Sequence, residues 1–317
     1  MTAATATPKL DPALARDLHQ TVASRHGWRG AAFVAFYLIG AWGSWRLAAS
    51  AGAHPVIWLA VAPLWLLAAA ALHGISLFTH EAVHGALARN PALNAFLGAL
   101  CAWPVLQNFS AYKVLHLPHH RDLGGHDDPD HYSNYTRWTW LVFTMNWLRL
   151  LVGYPVYIVA IPILGWRRGM ARERAGILAE VAALVLLAMV IWMSPLPRAL
   201  LLHGWLLPMC IINFMVNVRG MSQHTLLPES TDAVRGTRSI LTGRVVAFFM
   251  CNENYHLEHH LYPGVPWYHL PRVHAALRGE LAAQGAPYIG SYSAFVREFV
   301  VGSVRRSPFG SKSAPKS

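Results

Sequence analysis

The feature that most limits how this chain can fold is a set of long apolar runs that come in two pairs. Residues 31–50 and 55–79 form one pair, broken by a short turn at 51–54. Residues 176–193 and 199–218 form the other, broken at Ser194-Pro195-Leu196-Pro197, where proline ends one helix and begins the next. As helices, such runs are long enough to cross a hydrocarbon layer ~30 Å thick. The expected fold is therefore all-α and integral to a membrane, with four transmembrane helices in two hairpins. Composition agrees, because 54% hydrophobic and 13% charged residues in a chain of 317 are too apolar for an ordinary soluble protein. Cys101, Cys210 and Cys251 lie far apart, which argues against a disulfide framework or a thiolate zinc site. The net charge of +11 would raise the question of nucleic acid in a soluble chain. Here the basic residues flank apolar runs and form no folded basic module, so no nucleic-acid partner is expected.

Two further apolar stretches, 92–106 and 138–166, are read as interfacial or re-entrant helices. The first is short, and the second contains Arg149, Pro155 and Pro162. Histidine clusters lie before, between and after them, and clusters that share one site must lie on one face of the bilayer. Lys/Arg asymmetry places that face in the cytosol. Arg16, Arg25 and Arg29 precede the first span and Arg167, Arg168, Arg172 and Arg174 the third, against Arg46 and Arg198 on the other side. The expected organisation is a cytosolic N-terminal segment at 1–30, a membrane domain at 31–304 and a disordered basic tail at 305–317. The first segment lacks the apolar core of a secretory signal. The expected location is a cell inner membrane, with the active site on its cytosolic face.

The 18 histidines decide what the domain is for. His80-Glu81-Ala82-Val83-His84 follows an apolar run, so a helix places both imidazoles on one face at i and i+4. Gly85 can then end that helix. His116-Leu117-Pro118-His119-His120 and His256-Leu257-Glu258-His259-His260 both read HxxHH and present three imidazoles to one side of a helix. At this histidine frequency one HxxHH is expected only about 0.06 times in such a chain, and two occur. For single histidines such as His19, His26, His54 and His203 the ordinary reading is a snorkelling or hydrogen-bonded side chain. His126 and His131 fall outside the box spacing, and nothing supports a ligand role for His73. One zinc is satisfied by about four ligands, so eight imidazoles point to two metal ions, although imidazole alone suits Fe, Cu, Ni and Zn equally. Glu81, Asp127, Asp128, Asp130 and Glu258 sit beside box histidines, where a carboxylate commonly accepts the second imidazole N–H. Asp127 and Asp128 also suit a solvated turn.

The three boxes, with paired spans before the first and before the third, resemble the membrane fatty acid desaturase family, which includes hydroxylases and carotenoid ketolases. The likeness extends to His120-Arg121 with Asp127-Asp128-Pro129-Asp130, to Asn252-Glu253-Asn254-Tyr255 and to Leu261-Tyr262-Pro263-Gly264-Val265-Pro266. It implies a cytosolic di-iron cap ligated by His80, His84, His116, His119, His120, His256, His259 and His260. His224 stands at the position of the family's ninth ligand. It also implies O2 as co-substrate and oxidation of an unactivated C–H bond. No dinucleotide fingerprint, four-cysteine iron–sulfur pattern or haem-domain signature occurs in the sequence. Electrons are therefore expected from a separate carrier, ferredoxin-like or a cytochrome, with its reductase. The Asn252-to-His256 lead-in favours desaturation of a fatty acyl or lipid-like chain. The alternatives in the same family are a carotenoid ketolase or hydroxylase and a small-molecule desaturase of the rhizobitoxine type. A histidine-rich metal transporter is the remaining class. It would place coordinating groups at mid-membrane on broken helices, whereas these cluster at the ends of spans.

Overall fold

A computed structural model describes residues 7–51, 54–228 and 230–305. Past Arg305, the tail expected to be disordered lies outside the described residues. The described residues are mostly helical: α1 Pro12–Leu18, α2 Ala23–Ser50, α3 Trp58–Val83, α4 Pro91–Ala102, α5 Phe109–Arg121, α6 Thr139–Arg168 and α7 Ala171–Met193. After these come α8 Arg198–Leu201, a π-turn at Leu202–Leu206, and α9 Leu207–His224. The cap follows with α10 Ala233–Gly236, α11 Arg244–Phe249, α12 His256–Leu261, α13 Leu270–Ala283 and α14 Tyr292–Arg305. Two short strands, β1 Ser239–Ile240 and β2 Tyr288–Ile289, pair in parallel.

Small residues let α2 and α3 approach closely. A Cβ on Gly40 would lie 2.7 Å from the Leu64 carbonyl oxygen, and Ala68, Ala69 and Ala71 are fully buried beside it. Between helices in lipid, van der Waals contact of this kind replaces the hydrophobic drive available in water. The end of α3 is pinned by α4: Asn94 Nδ2 donates to the Ala82 carbonyl at 2.7 Å, and Asn94 Oδ1 accepts from the Leu87 and Ala88 N–H groups at 3.1 Å. Gly85, at φ 73°, then turns the chain away in the left-handed conformation that glycine adopts without strain.

α5 is fixed at its start. Asn108 Oδ1 accepts from Ala111 N–H at 2.8 Å, and Glu180 of α7 accepts from Phe109 N–H at 2.6 Å and from the Ser110 hydroxyl at 2.6 Å. A carboxylate at a helix N-terminus satisfies orphan donors and meets the positive end of the dipole. Both clamps lie one helix length from the second box, so they set its height.

Among the described residues, five helical segments are long and apolar enough to cross a membrane: Ala23–Ser50, Pro55–Val83, Thr139–Arg168, Ala171–Met193 and Arg198–His224. The third is α6, expected to be interfacial or re-entrant. Its helix is continuous, but its internal ladder is opened. Asn213 of α9 donates Nδ2 to the Leu150 carbonyl at 2.7 Å and accepts Tyr154 N–H on Oδ1 at 2.8 Å, taking both partners of one α-helical bond. Pro155 and Pro162 follow, and inserted side chains and prolines are the usual causes of a bent helix. Both flanks of α6 reach one loop: the Tyr135 hydroxyl donates to the Pro129 carbonyl at 2.6 Å, and Arg168 Nη1 donates to that of Asp127 at 3.3 Å.

The cap is a packed layer beyond the ends of the spans. Leu10 and Leu18 lie in one apolar cluster with Leu257, Val265, Leu270, Val273, Leu277 and Leu281. Leu10 N–H also donates to the Tyr262 hydroxyl at 2.6 Å. The N-terminal segment is thus folded onto the third-box region, and α2 begins at Ala23, eight residues before the expected span. Arg29 lies 3.9 Å from the Phe248 ring centroid and 4.3 Å from that of Trp267, a cation–π clamp between α2 and the cap.

Candidate metal centre

The ends of α3 and α5, together with α12 and the last residue of α9, bring all nine expected histidines together as two groups. His80, His84, His116, His120 and His259 form the first, their ligand nitrogens within 4.8 Å of one another. His119, His224 and His260 form the second under the same limit. His256 joins it through Nε2, 3.1 Å from His224 Nε2 and 3.1 Å from His260 Nε2. The boxes are shared in a crossed pattern. Positions i and i+4 of the second box, His116 and His120, enter the five-histidine group while His119 enters the other. In the third box His256 and His260 enter the four-histidine group while His259 crosses over. Helical geometry is the reason: i and i+4 share a face, and i+3 lies on its flank.

The donor chemistry fits metal ions. Within the first group the Nε2 atoms of His84 and His116 are 3.1 Å apart, those of His116 and His120 3.0 Å, and those of His120 and His259 3.3 Å. Ligand nitrogens held about 2.1 Å from one ion stand roughly 3.0–3.4 Å apart. In the second group three of the other ring nitrogens face outward to acceptors. His119 Nδ1 meets Asp128 Oδ1 at 2.9 Å, His224 Nδ1 the Gly236 carbonyl at 3.0 Å, and His256 Nδ1 Glu253 Oε1 at 2.8 Å. An Nδ1–H donated outward leaves the Nε2 lone pair pointing inward. Several inward lone pairs at such separations repel one another unless a cation lies between them, and His80 Nε2 is buried with no hydrogen-bond partner among the described residues.

Electrostatics point the same way. Burial, with help from the neighbouring imidazoles, holds His116, His256, His259 and His260 well below the usual histidine range. They are neutral, the form that binds metal. His119 differs: burial acts to lower it, but Asp130 and Asp128 together outweigh burial and raise it.

The carboxylates beside the boxes divide. Asp128 is 2% exposed and bonds His119, while also accepting from Gly124 N–H at 2.8 Å and Asp130 N–H at 2.9 Å. Asp130 lies 3.8 Å from His119 Nδ1 with a largely exposed side chain, and Asp127 is exposed beside His126. Glu81 does not turn to a box imidazole but accepts Trp267 N–H at 3.1 Å. Glu258 is likewise engaged elsewhere, with His274, Ser239 and Tyr288. Neither orients a ligand as its place in the sequence suggests. Each instead ties its helix to the rest of the cap, because a side chain adjacent to a ligand in sequence leaves the helix in another direction. Glu253 is the residue that sequence reasoning missed. Its signal was available, an acid three residues before His256 within the Asn252-to-Tyr255 lead-in. Asn252 and Asn254 hold backbone, donating to the Trp267 carbonyl at 3.1 Å and the Ile240 carbonyl at 2.9 Å. His126, His131 and His73 lie outside both groups.

Known proteins resemble the chain over most of its length. The chain is 29% identical over 234 residues to a beta-carotene ketolase from Paracoccus sp., a match covering 70% of this chain and 81% of the relative. It is 29% identical over 241 residues to the dihydrorhizobitoxine desaturase of Bradyrhizobium elkanii, covering 66% and 65%. It is 21% identical over 277 residues to an sn-1 acyl-lipid omega-3 desaturase (ferredoxin) from Synechocystis sp., covering 74% and 70%. The relatives are oxidoreductases, and a family model described as fatty acid desaturase matches residues 57–292, a stretch that holds all nine histidines. With boxes, geometry and family in agreement, this chain belongs to the fatty acid desaturase family.

Proposed function

We propose that the chain is a membrane-bound di-iron oxidase that acts on an unactivated C–H bond of an apolar, lipid-like substrate, with desaturation as its outcome. The observation that carries the proposal is the pair of opposed imidazole groups, with Nε2 atoms 3.1–3.3 Å apart between chain-distant elements. His80, His84, His116, His120 and His259 would hold one iron, and His119, His224, His256 and His260 the other. When bound, such a pair supplies dioxygen reduction and hydrogen abstraction. The chain's own residues do the rest: Asp128, Glu253 and the Gly236 carbonyl orient the imidazoles, and the apolar core formed by Phe33, Phe78, Val83 and Phe109 shields the first box from water. Removing two hydrogens while dioxygen becomes two waters takes two further electrons and two protons. A separate acidic one-electron carrier supplies the electrons, meeting the exposed arginines Arg167, Arg168 and Arg172 at the junction of α6 and α7. Turnover is then salt-sensitive, and sustained turnover with a nicotinamide cofactor alone would refute the separate carrier.

We further propose four crossings, with α6 entering the bilayer and returning to its starting side. Supporting this are the opened ladder at Leu150–Tyr154, the two prolines and the reach of both flanks to the 127–129 loop. A straight helix of 30 residues would separate its ends by ~45 Å. The histidine-bearing side then faces the cytosol of an inner membrane. Cysteine labelling from either side tests this: probes placed near 137 and near 168 should react from the same side.

A second reading has its own support, since the Paracoccus ketolase shares 29% identity over 81% of its length. In that reading oxygen returns to the carbon and a ketone forms. Expression with a donor in lipid-producing and carotene-producing hosts separates the two. A product lighter by two hydrogens supports desaturation, whereas a keto-carotenoid with unchanged lipids moves the assignment to ketolation. Metal analysis should give two irons per chain, and one zinc with no iron would sink the di-iron reading.

A further inference from the structure

Glu253 lies where two structural constraints meet. It follows Cys251 and Asn252, consecutive non-glycine residues in the left-handed region at φ 45° and 53°. Such backbone is costly and persists only where its surroundings overdetermine it. Here Glu253 N–H donates to the Met250 carbonyl at 2.8 Å, and the Asn252 and Asn254 side chains bond the backbone at Trp267 and Ile240. The turn delivers a carboxylate that is 2% exposed to a point between the two imidazole groups.

Its contacts there are unlike those of any other acid in the cap. Oε1 accepts from His256 Nδ1 at 2.8 Å, and Oε2 lies 3.6 Å from His80 Nδ1. His256 belongs to the four-histidine group and His80 to the five-histidine group. Arg219 Nη1, 3.8 Å from Oε1, provides the neighbouring positive charge. We propose that Glu253 is a positioning residue shared by both metal sites, fixing the tautomer and ring plane of His256 through its hydrogen bond and drawing His80 toward it by charge at 3.6 Å, and so holding the two metal positions in register. The proposal rests on the di-iron reading. A single rigid carboxylate serving two rings couples them, because a rotation that lengthens one contact moves the acceptor seen by the other. Asp128 bonds one ring, His119, and has no such reach.

The test uses full-length protein purified in detergent and loaded with 57Fe, comparing Glu253→Gln with Asp128→Asn by iron titration and Mössbauer spectroscopy. Gln keeps the volume of Glu, but its amide can accept on one side only and turns N–H toward the other imidazole. Iron affinity is expected to fall about 10- to 100-fold at both sites, with both quadrupole doublets altered. Asp128→Asn should alter one doublet. If the Gln variant does not fold, Glu253→Asp keeps the charge, cannot overpack and is too short to reach both rings, so the same change in both doublets is expected. Two irons bound with wild-type affinity and an unchanged spectrum, or a change confined to one doublet, would overturn the proposal. Wild-type protein that bound no iron would instead sink the di-iron reading beneath it.

Discussion

The five-histidine and four-histidine groups are assembled in different ways. The first takes every imidazole from the boxes, on α5, α12 and the end of α3, so its ligands sit at or beside regular helical positions. The second takes three imidazoles from the boxes and completes itself with His224, the last residue of α9, and with Asp128 from the loop after α5. One site is built by helix geometry, and the other also needs a helix end and a loop to arrive at the right place. The second should therefore be the more easily weakened from outside its ligand set.

The largest effect should come from the first group. Replacing His120 with Ala is expected to abolish turnover and lower bound iron, while membrane insertion stays intact because His120 lies on α5, outside the five span-length segments. Activity and iron per chain, measured on membranes with equal protein, check this. Retained turnover would mean that the five-histidine group is not a reaction centre.

Next comes His224. Its replacement by Ala should cost activity as heavily as a box mutation while leaving one iron bound, since the five-histidine group keeps all its members. His126→Ala is the control, because His126 is exposed and lies outside both groups. Near-normal turnover in His224→Ala would remove it from the proposed ligand set, and a matching loss in His126→Ala would show that the set is drawn too narrowly.

The two groups also differ in how much of them the sequence discloses. The eight box histidines are legible because their spacing is local: i, i+3 and i+4 on a helix fix relative directions without knowledge of the fold. The crossing of His119 and His259 into opposite groups is not legible, since it depends on how α5 and α12 face each other across 139 residues of chain. His224 was reached only through family resemblance. Glu81 and Glu258 show the limit of arguing from adjacency, because both neighbour ligands in sequence and both serve other partners. The apolar runs disclosed the span-length helices but not their pairing, since α2 packs along α3 whereas α7 packs on α5 and α6, and a 30-residue helix with an opened ladder cannot be separated from a straight one by composition. What opens the ladder is Asn213, a residue 59 positions away.

A smaller effect is expected for Asp128→Asn. The amide oxygen can still accept from His119, but the charge that raises this imidazole is lost. Iron affinity of the four-histidine group should fall roughly 10- to 100-fold, the usual cost of losing a ligand's orienting partner, with the other iron untouched. Metal titration reads the two sites separately. Equal weakening at both would mean that the loop supports the whole cap and not one ligand.

The smallest effect is expected at Asp130, and it sharpens the contrast within the loop itself. Asp130 and Asp128 both face His119 Nδ1, at 3.8 and 2.9 Å, yet the Asp128 side chain is 3% exposed and that of Asp130 66%. Water screens an exposed carboxylate, and such pairs rarely contribute more than ~1 kcal/mol, whereas a buried charge-assisted hydrogen bond fixes geometry as well as charge. Asp130 N–H also donates to Asp128, an interaction that substitution of its side chain leaves in place. Asp130→Asn should therefore change iron affinity by less than about threefold, and that change should shrink further as salt is raised. A loss as large as that of Asp128→Asn, persisting at high salt, would show that Asp130 is desolvated when the site is loaded. The loop would then close over the four-histidine group on metal binding, and the exposure of Asp130 in this structure would be a poor guide to what holds His119.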